Sequence, residues 1–228
     1  KVYYGRSFGA PGECVGEVVF NTSMTGYQEI ITDPSYKGQM VAMTYPHIGN
    51  YGVNEMDFES CEPQVEAFIV RDACEEPSNW RAKSSLREFL CDHGIMAATD
   101  MDTRSITRHI RMQGAMKAVL STVDDDERRL VRKAQEAPDI SELALVEQVS
   151  TKKVYQWTEG TVPEWMPTSD GFSKAVRPPS NNRRYRVVAV DYGVKRNILR
   201  RLVDMGCDVW VVPWDSSAEE ILKLVPEG

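Results

Sequence analysis

One cysteine of the chain lies in a pattern that nucleophilic enzymes use. The residues Gly12-Glu-Cys14-Val-Gly16 fit the G-x-C-x-G form of a nucleophile elbow, in which a thiolate on a strained turn performs the attack. An elbow follows a buried strand and precedes a helix, whose amino end lowers the thiol pKa. In this chain Pro11 and two small residues precede the pattern, and the strand-like run Glu17-Val-Val-Phe20 follows it. We therefore predict that Cys14 is not a nucleophile.

The other cysteines and the histidines are scattered. Cysteine stands at positions 14, 61, 74, 91 and 207, an odd number without a C-x-x-C pair, which argues against a disulfide framework or a zinc site and is typical of a reducing compartment. Cys91-Asp92-His93 is compact, but residues i and i+2 face different sides of the helix that we expect to end at Gly94. We predict neither a metal site nor a catalytic residue there.

Polar and turn-forming residues crowd the segment 21–36, which lies between two strand-like apolar runs. The composition predicts a loop that presents side chains. Gly26 can supply a positive φ, and Asp33-Pro34 sets up a turn with proline at its second position, from which Ser35 and Tyr36 project. An ordinary structural loop is the alternative, since serine, threonine and asparagine also cluster in loops without function.

Two stretches of the chain carry a specific resemblance. The segment Asn21-Thr-Ser-Met-Thr-Gly-Tyr-Gln-Glu-Ile-Ile-Thr-Asp-Pro-Ser-Tyr36, continued by Gln39-Met-Val-Ala-Met-Thr-Tyr-Pro-His-Ile-Gly-Asn50, closely resembles the amino-terminal domain of the carbamoyl phosphate synthetase small chain family. Val187-Val-Ala-Val-Asp-Tyr-Gly-Val-Lys-Arg-Asn-Ile-Leu199 resembles the segment that opens the glutamine amidotransferase domain of the same small chain. The two resemblances agree in family and in order along the chain.

The resemblance implies glutamine hydrolysis that feeds ammonia to a large synthetase chain. In that family a cysteine thiolate attacks the glutamine amide, a histidine acts as general acid and base, and a carboxylate orients the histidine. The large chain uses ATP and Mg²⁺ and combines the ammonia with activated bicarbonate, so this chain itself is expected to hold no cofactor. The product, carbamoyl phosphate, supplies pyrimidine and arginine synthesis.

Of the residues that the family uses at its glutamine site, only one has a counterpart in this sequence. Ser35 of the T-D-P-S-Y turn maps onto a serine that binds glutamine. The elbow cysteine, the histidine and the glutamate belong after the Asp191-Tyr-Gly segment, and the sequence ends at Gly228 before reaching them, so we expect this fragment to be inactive alone. The alternative function is a docking module in which the first domain grips the large chain. A weaker alternative is an unrelated doubly wound ligand-binding protein, although neither G-x-G-x-x-G nor G-x-x-x-x-G-K-[ST] occurs.

Short apolar runs and helix signals together predict an α/β fold. We expect strands over residues 17–20, 39–45, 65–70, 95–99 and 116–121. We expect helices after Ser84-Ser85, from Asp102 to Gly114, and from the acidic run 124–127 to Pro138. The basic residues of the helix after Asp102 predict a solvated face, with an inter-subunit contact as the alternative.

The chain is expected to contain two domains. Residues 1–150 form a mixed β/α amino-terminal domain, and the proline-rich residues 151–184 form a linker. Residues 185–228 read as strand, helix, strand and helix, which suits the truncated beginning of a doubly wound, flavodoxin-like amidotransferase domain.

Composition restricts the partners. The 228 residues are 42% hydrophobic, with a net charge of −7 and a pI near 5.1, and no basic face appears, which disfavours nucleic acid. No run approaches the roughly 18 apolar residues that span a bilayer, and no signal-peptide core is present, so we expect no membrane and a cytoplasmic location. Residues 1–5 read as the middle of a strand, and a targeting peptide upstream of them would make the location organellar.

Overall fold

The computed structural model describes residues 1–161 and 184–228, together with the backbone of residues 167–168 and 171–172. It shows a mixed α/β chain, as the sequence predicts. The chain divides into two compact units, Lys1–Ala144 and Leu145–Gly228, which are described separately.

A six-stranded mixed sheet forms the centre of the first unit. Its order is β1-β7-β5-β3-β2-β8; the four inner strands are parallel to one another, and β1 and β8 pair antiparallel at the two edges. A separate parallel pair joins β4 to β6. The strands of residues 1–144 are β1 Arg6–Ser7, β2 Glu13–Asn21, β3 Gln39–Met43, β4 His47–Ile48, β5 Ala67–Ile69, β6 Asp72–Ala73, β7 Met96–Thr99 and β8 Met116–Ser121.

The five predicted strands of this unit are present, but residues 1–5 are not part of one. The first strand begins only at Arg6. At Gly5 the backbone passes so close to β7 that an added Cβ would lie 2.5 Å from the carbonyl oxygen of Thr99. Close packing against the end of β7 therefore takes the place of strand pairing at this point.

Four helices flank the sheet: α1 Tyr27–Thr32, α2 Leu86–Asp92, α3 Thr103–Gln113 and α4 Glu127–Glu136. Side chains cap three of them as the sequence predicts. Ser85 and Glu88 form a capping box on α2, and Asp102 and Asp126 accept amide hydrogens at the starts of α3 and α4. These caps satisfy amides that the first helical turn leaves without an intrahelical acceptor.

The sheet has a core on each face because side chains alternate along a strand. In β3, Val41 and Met43 pack with α1 and α2, whereas Met40 and Ala42 pack on the other face with Ile106 and its neighbours from α3. The first unit is therefore a three-layer structure. The arginines of α3 are exposed on the side away from the core, as the pattern predicts.

The loop predicted for residues 21–36 is wrong in its central part. Tyr27–Thr32 forms α1, and the 3₁₀ helix Pro34–Tyr36 follows directly. All of α1 except Glu29 is buried. The helix has only six residues, too few to be stable alone, and contacts with the rest of the unit hold it instead.

The second unit contains a three-stranded sheet in the order β12-β13-β9. Strands β12 and β13 are parallel, β9 is antiparallel to β13, and α6 packs on them through the buried Leu199. The β-α-β-α order predicted for residues 185–228 is present. Its described elements are α5 Val146–Val149, β9 Tyr155–Trp157, β10 Pro167–Thr168, β11 Gly171–Phe172, β12 Arg186–Asp191, α6 Arg196–Asp204, β13 Asp208–Pro213 and α7 Ala218–Lys223.

Part of the segment predicted as a linker is a strand. Residues 155–157 form β9, because Tyr155 and Trp157 alternate with Gln156 and pack on the core of the second unit. The run is too short to stand out from the irregular sequence around it. Most of the predicted linker 151–184, including Pro163, Trp165, Pro178 and Pro179, lies outside the described residues.

Candidate functional site

Ser35 lies at the start of a rigid turn. Asp33 caps the 3₁₀ helix Pro34–Tyr36, and its Oδ1 accepts the Ser35 amide hydrogen at 2.9 Å. Asp33 itself is buried, whereas Ser35 is exposed. Within residues 1–161 and 184–228 the Ser35 hydroxyl takes part in no hydrogen bond. The backbone is thus fixed, and the hydroxyl is available to bind a ligand.

The residues on both sides of Ser35 hold the turn to the sheet. Pro34 is buried at the first helical position, where a proline costs no hydrogen bond. The Tyr36 hydroxyl accepts a hydrogen bond from Asn21 Nδ2 at 2.9 Å, which ties the turn to the end of β2. The predicted turn is therefore present, with Ser35 projecting from it.

Helix α1, which leads into this turn, is clamped to the segment around residues 49–57. Gly26 before the helix has φ of 81°, and the Tyr51 hydroxyl accepts hydrogen bonds from the amides of Gly26 and Tyr27 at 2.7 and 3.0 Å. The rings of Tyr27 and Tyr51 stack with their centroids 4.1 Å apart. Burial raises the pKa of both phenols, so both hydroxyls stay protonated. The positive φ predicted for Gly26 is confirmed.

A reciprocal pair of hydrogen bonds completes the clamp. Gln28 Nε2 donates to the Asn54 carbonyl at 2.6 Å, and the Asn54 amide donates to Gln28 Oε1 at 2.9 Å. Both residues are buried. The side-chain amide of Gln28 thus provides hydrogen bonds for the backbone amide and carbonyl of Asn54, which lie outside any strand or helix.

A cavity of about 220 Å³ opens beside the first turn of α1. Glu29 contributes a carboxylate to it, and burial raises the Glu29 pKa to about 7. The Glu29 Oε2 atom is buried and has no hydrogen-bond partner among the described residues. The side chains that line the cavity include those of Glu29, Tyr51, Asn54, Asp57, Asn79 and Arg81.

Arg81 also lines this cavity, and hydrogen bonds to the segment 54–57 hold its side chain. Its Nη2 donates to Asp57 Oδ1 at 2.7 Å and to Asn54 Oδ1 at 3.2 Å. Asn54 Nδ2 also donates to Asp57 Oδ2 at 2.7 Å. Both carboxylate oxygens of Asp57 therefore have a partner, in contrast to Oε2 of Glu29.

Sequence reasoning missed Glu29 and the cavity around it. A signal was present, because Tyr27, Ile30 and Ile31 have the i, i+3, i+4 spacing of a buried helix face. That spacing would have predicted the helix, but it places Glu29 on the opposite face, where burial is not expected. The contacts with Asn54 and Arg81 carry no such local signal.

Cys14 lies within a strand and not at an elbow. It occupies β2 opposite Leu120 of β8, and burial raises its pKa to about 12. A thiol of this kind is protonated at neutral pH and is a poor nucleophile. The G-x-C-x-G pattern therefore does not mark a reactive thiol here.

The compact trio 91–93 lies at the end of α2. Cys91 and Asp92 are its last residues, and His93 Nδ1 contacts the Phe89 carbonyl at 2.8 Å. Among residues 1–161 and 184–228, no group of three or more histidine, cysteine, aspartate or glutamate side chains is arranged to hold a metal ion. Over the same residues, no helix combines the length and hydropathy needed to cross a bilayer.

In the second unit, Asp191 organises the turn after β12. Its Oδ1 accepts the amide hydrogens of Gly193 and Val194 at 3.0 and 2.9 Å, and its Oδ2 accepts that of Thr151 at 2.7 Å. Gly193 has φ of 94°, a conformation that favours glycine. Asp191 is thus a structural residue of the Asp191-Tyr-Gly segment.

The part of the chain that contains Ser35 and Glu29 matches a known protein family. The family model described as carbamoyl-phosphate synthase small chain, CPSase domain, matches residues 1–120. The carbamoyl phosphate synthase small chains of Syntrophotalea carbinolica, Nostoc sp. and Aquifex aeolicus are 50%, 52% and 51% identical to this chain, over 228, 226 and 226 residues.

These alignments cover 100%, 99% and 99% of this chain and 58%, 57% and 58% of the three relatives. The chain therefore spans little more than half the length of the curated relatives it matches. Since the family model covers residues 1–120 of 228, more than half of the chain, the protein belongs to the carbamoyl-phosphate synthase small chain family.

Proposed function

We propose that the chain is part of the glutamine-hydrolysing subunit of a carbamoyl phosphate synthetase, which releases ammonia from glutamine for a large synthetase chain. The observation that carries this proposal is the Ser35 hydroxyl. It is exposed on a turn whose backbone is fixed by Asp33, and it lies within the residues that match the family. Its partner would be a polar group of glutamine.

The geometry of Ser35 suits recognition and not chemistry. A serine that acts as a nucleophile needs a base within hydrogen-bond reach. No such partner of Ser35 exists among residues 1–161 and 184–228. A hydroxyl can donate to a carboxylate or accept from an ammonium, and glutamine carries both.

The partner that this function requires is the large chain, which would bind ATP and Mg²⁺ and use the ammonia. The carbamoyl phosphate would serve pyrimidine and arginine synthesis in the cytoplasm. Docking onto the large chain is a second function of the first unit, favoured by the exposed side chains of Met24, Met56 and Trp80. Large exposed apolar side chains of this kind are enriched at protein interfaces.

The test compares two nitrogen sources in the full-length subunit assembled with its large chain. Ser35→Ala should raise the apparent constant for glutamine about tenfold to hundredfold, because a hydrogen bond to a charged ligand group is worth about 1.5 to 3 kcal/mol. Carbamoyl phosphate synthesis from added ammonia should stay unchanged, since that route bypasses glutamine binding. The measurement is initial rate against glutamine and against ammonia.

Ser7→Ala is the matched control, because Ser7 is also exposed and lies on the edge strand β1. It should leave both rates as they are. An equal loss with both nitrogen sources in Ser35→Ala would assign Ser35 to folding or assembly. Unchanged rates with both sources would remove Ser35 from glutamine recognition.

A further inference from the structure

The carboxylate of Glu29 is the least compensated charge in the cavity beside α1. Its Oε2 is buried and has no hydrogen-bond partner in the described part of the chain. A buried carboxylate oxygen without a donor is costly, so native structures usually supply one. The cavity next to it, of about 220 Å³, has room for a group that would do so.

The charged side chains that act on Glu29 carry a net negative charge. Burial is the main cause that raises the Glu29 pKa, and a hydrogen bond from its own backbone amide lowers it in part. Asp57 and Glu59 raise the pKa by repulsion, and Arg81 lowers it by less than either acid raises it. Arg81 is also the partner of Asp57, at 2.7 Å. The phenol of Tyr51 faces the same space and is neutral. The group that fits this environment is a hydrogen-bond donor with a positive charge.

Three exposed apolar residues are sequence neighbours of residues that line the cavity. Met24 precedes the lining residue Thr25, Met56 precedes the lining residue Asp57, and Trp80 lies between the lining residues Asn79 and Arg81. Their relative exposures are 69%, 36% and 78%. Tryptophan and methionine beside a charged pocket are typical of a protein interface, since they supply the apolar area that surrounds a buried ionic contact.

We propose that the cavity at Glu29 receives a lysine or arginine side chain of the large synthetase chain, with Met24, Met56 and Trp80 forming the apolar rim of that contact. The occupant is a protein side chain and not a free amine, because a free amine would leave the three rim side chains exposed. This inference rests on the proposed function, which supplies the partner.

Binding should depend on pH because Glu29 must be ionised to pair with the cation. In the unbound protein its pKa is about 7, so below that pH binding has to displace a proton. The affinity should therefore rise with pH up to about 8 and fall about tenfold for each unit below 7. Tyr51, Asp57 and Arg81 line the same cavity, and Glu59 acts on Glu29 by charge repulsion. All four remain in the variants, so their contribution cancels in a comparison with Glu29→Gln.

The experiment measures the dissociation constant between the full-length small chain and the immobilised large chain at several pH values. Glu29→Gln should raise it about thirtyfold or more, because the partner's cation is left buried without an anion. The variant should also lose the pH dependence. Trp80→Ala, at a side chain that is 78% exposed, should raise the dissociation constant about tenfold or more. Glu136→Gln is the matched control, since Glu136 is exposed at the end of α4 and neither lines the cavity nor adjoins a lining residue in the sequence.

Each contrary result has its own meaning. If the wild-type chains do not associate, the proposed function is overturned and this inference falls with it. If they associate and Glu29→Gln binds as tightly as wild type, only this inference is overturned. An equal loss with Glu136→Gln would show general attraction between charged surfaces and would overturn the assignment of the contact to this cavity. Saturable binding of N-acetyl-lysine amide that outcompetes the large chain would overturn the choice of a protein occupant.

Discussion

At the scale of a residue, Glu29 should make the stability of the unpartnered protein depend on pH. Its pKa is about 7 in the folded chain, against 4.5 as the ordinary value, so the folded state holds an extra proton between those pH values. The stability it contributes is complete below the lower value and is lost as pH rises through 7. The full loss amounts to about 3 kcal/mol.

We therefore expect Glu29→Gln to be more stable than wild type at about pH 8 and close to it at about pH 5, because glutamine stays neutral throughout. Urea unfolding at the two pH values measures the difference. Glu55→Gln, an exposed counterpart, should follow wild type at both. If the stability advantage of Glu29→Gln over wild type shrank as pH rises, the claim that Glu29 is a buried carboxylate without adequate compensation would be contradicted.

At the scale of an element, α1 depends on its tertiary hydrogen bonds. The helix has six residues, too few to be stable alone. Gln28→Ala should destabilise the first unit by about 3 kcal/mol or more, because the buried amide and carbonyl of Asn54 lose their partners. Denaturant unfolding followed by circular dichroism gives the value.

The matched control for Gln28→Ala is Gln113→Ala, at the exposed last residue of α3. It should change the free energy of unfolding by less than about 0.5 kcal/mol. A loss of similar size in the two variants would mean that the clamp to Asn54 contributes little.

The helices that the sequence predicts and the one it misses differ in where their stability originates. Ser85, Asp102 and Asp126 cap helices through bonds to residues two or three positions away, and such local bonds follow from sequence spacing. The bonds of α1 reach residues far along the chain, as Tyr51 and Asn54 show. The same distinction explains why the Ser35 turn could be predicted and the Glu29 cavity could not.

At the scale of the whole molecule, the order of the strands in the sheet also depends on contacts between residues far apart in the sequence, so local patterns do not predict it. The inner strands are recognisable one by one, but the placement of β2 between the next strand, β3, and the distant β8 depends on contacts between side chains on both faces of the sheet. Strand β9 shows the same effect, because Tyr155 and Trp157 become a strand only against β13. A resemblance to a family supplies this information where periodicity does not.

The chain of residues 1–228 alone should not hydrolyse glutamine. All five cysteines are in described residues, and none occupies a tight turn that leads from a strand directly into a helix, where a thiol is activated. Cys14, the only one in an elbow-like pattern, has its pKa raised to about 12. Ammonia release from glutamine, measured at high protein concentration with and without the large chain, should equal the rate of the buffer. Sustained turnover that disappears in Cys14→Ser would instead make Cys14 the nucleophile, despite its place in β2.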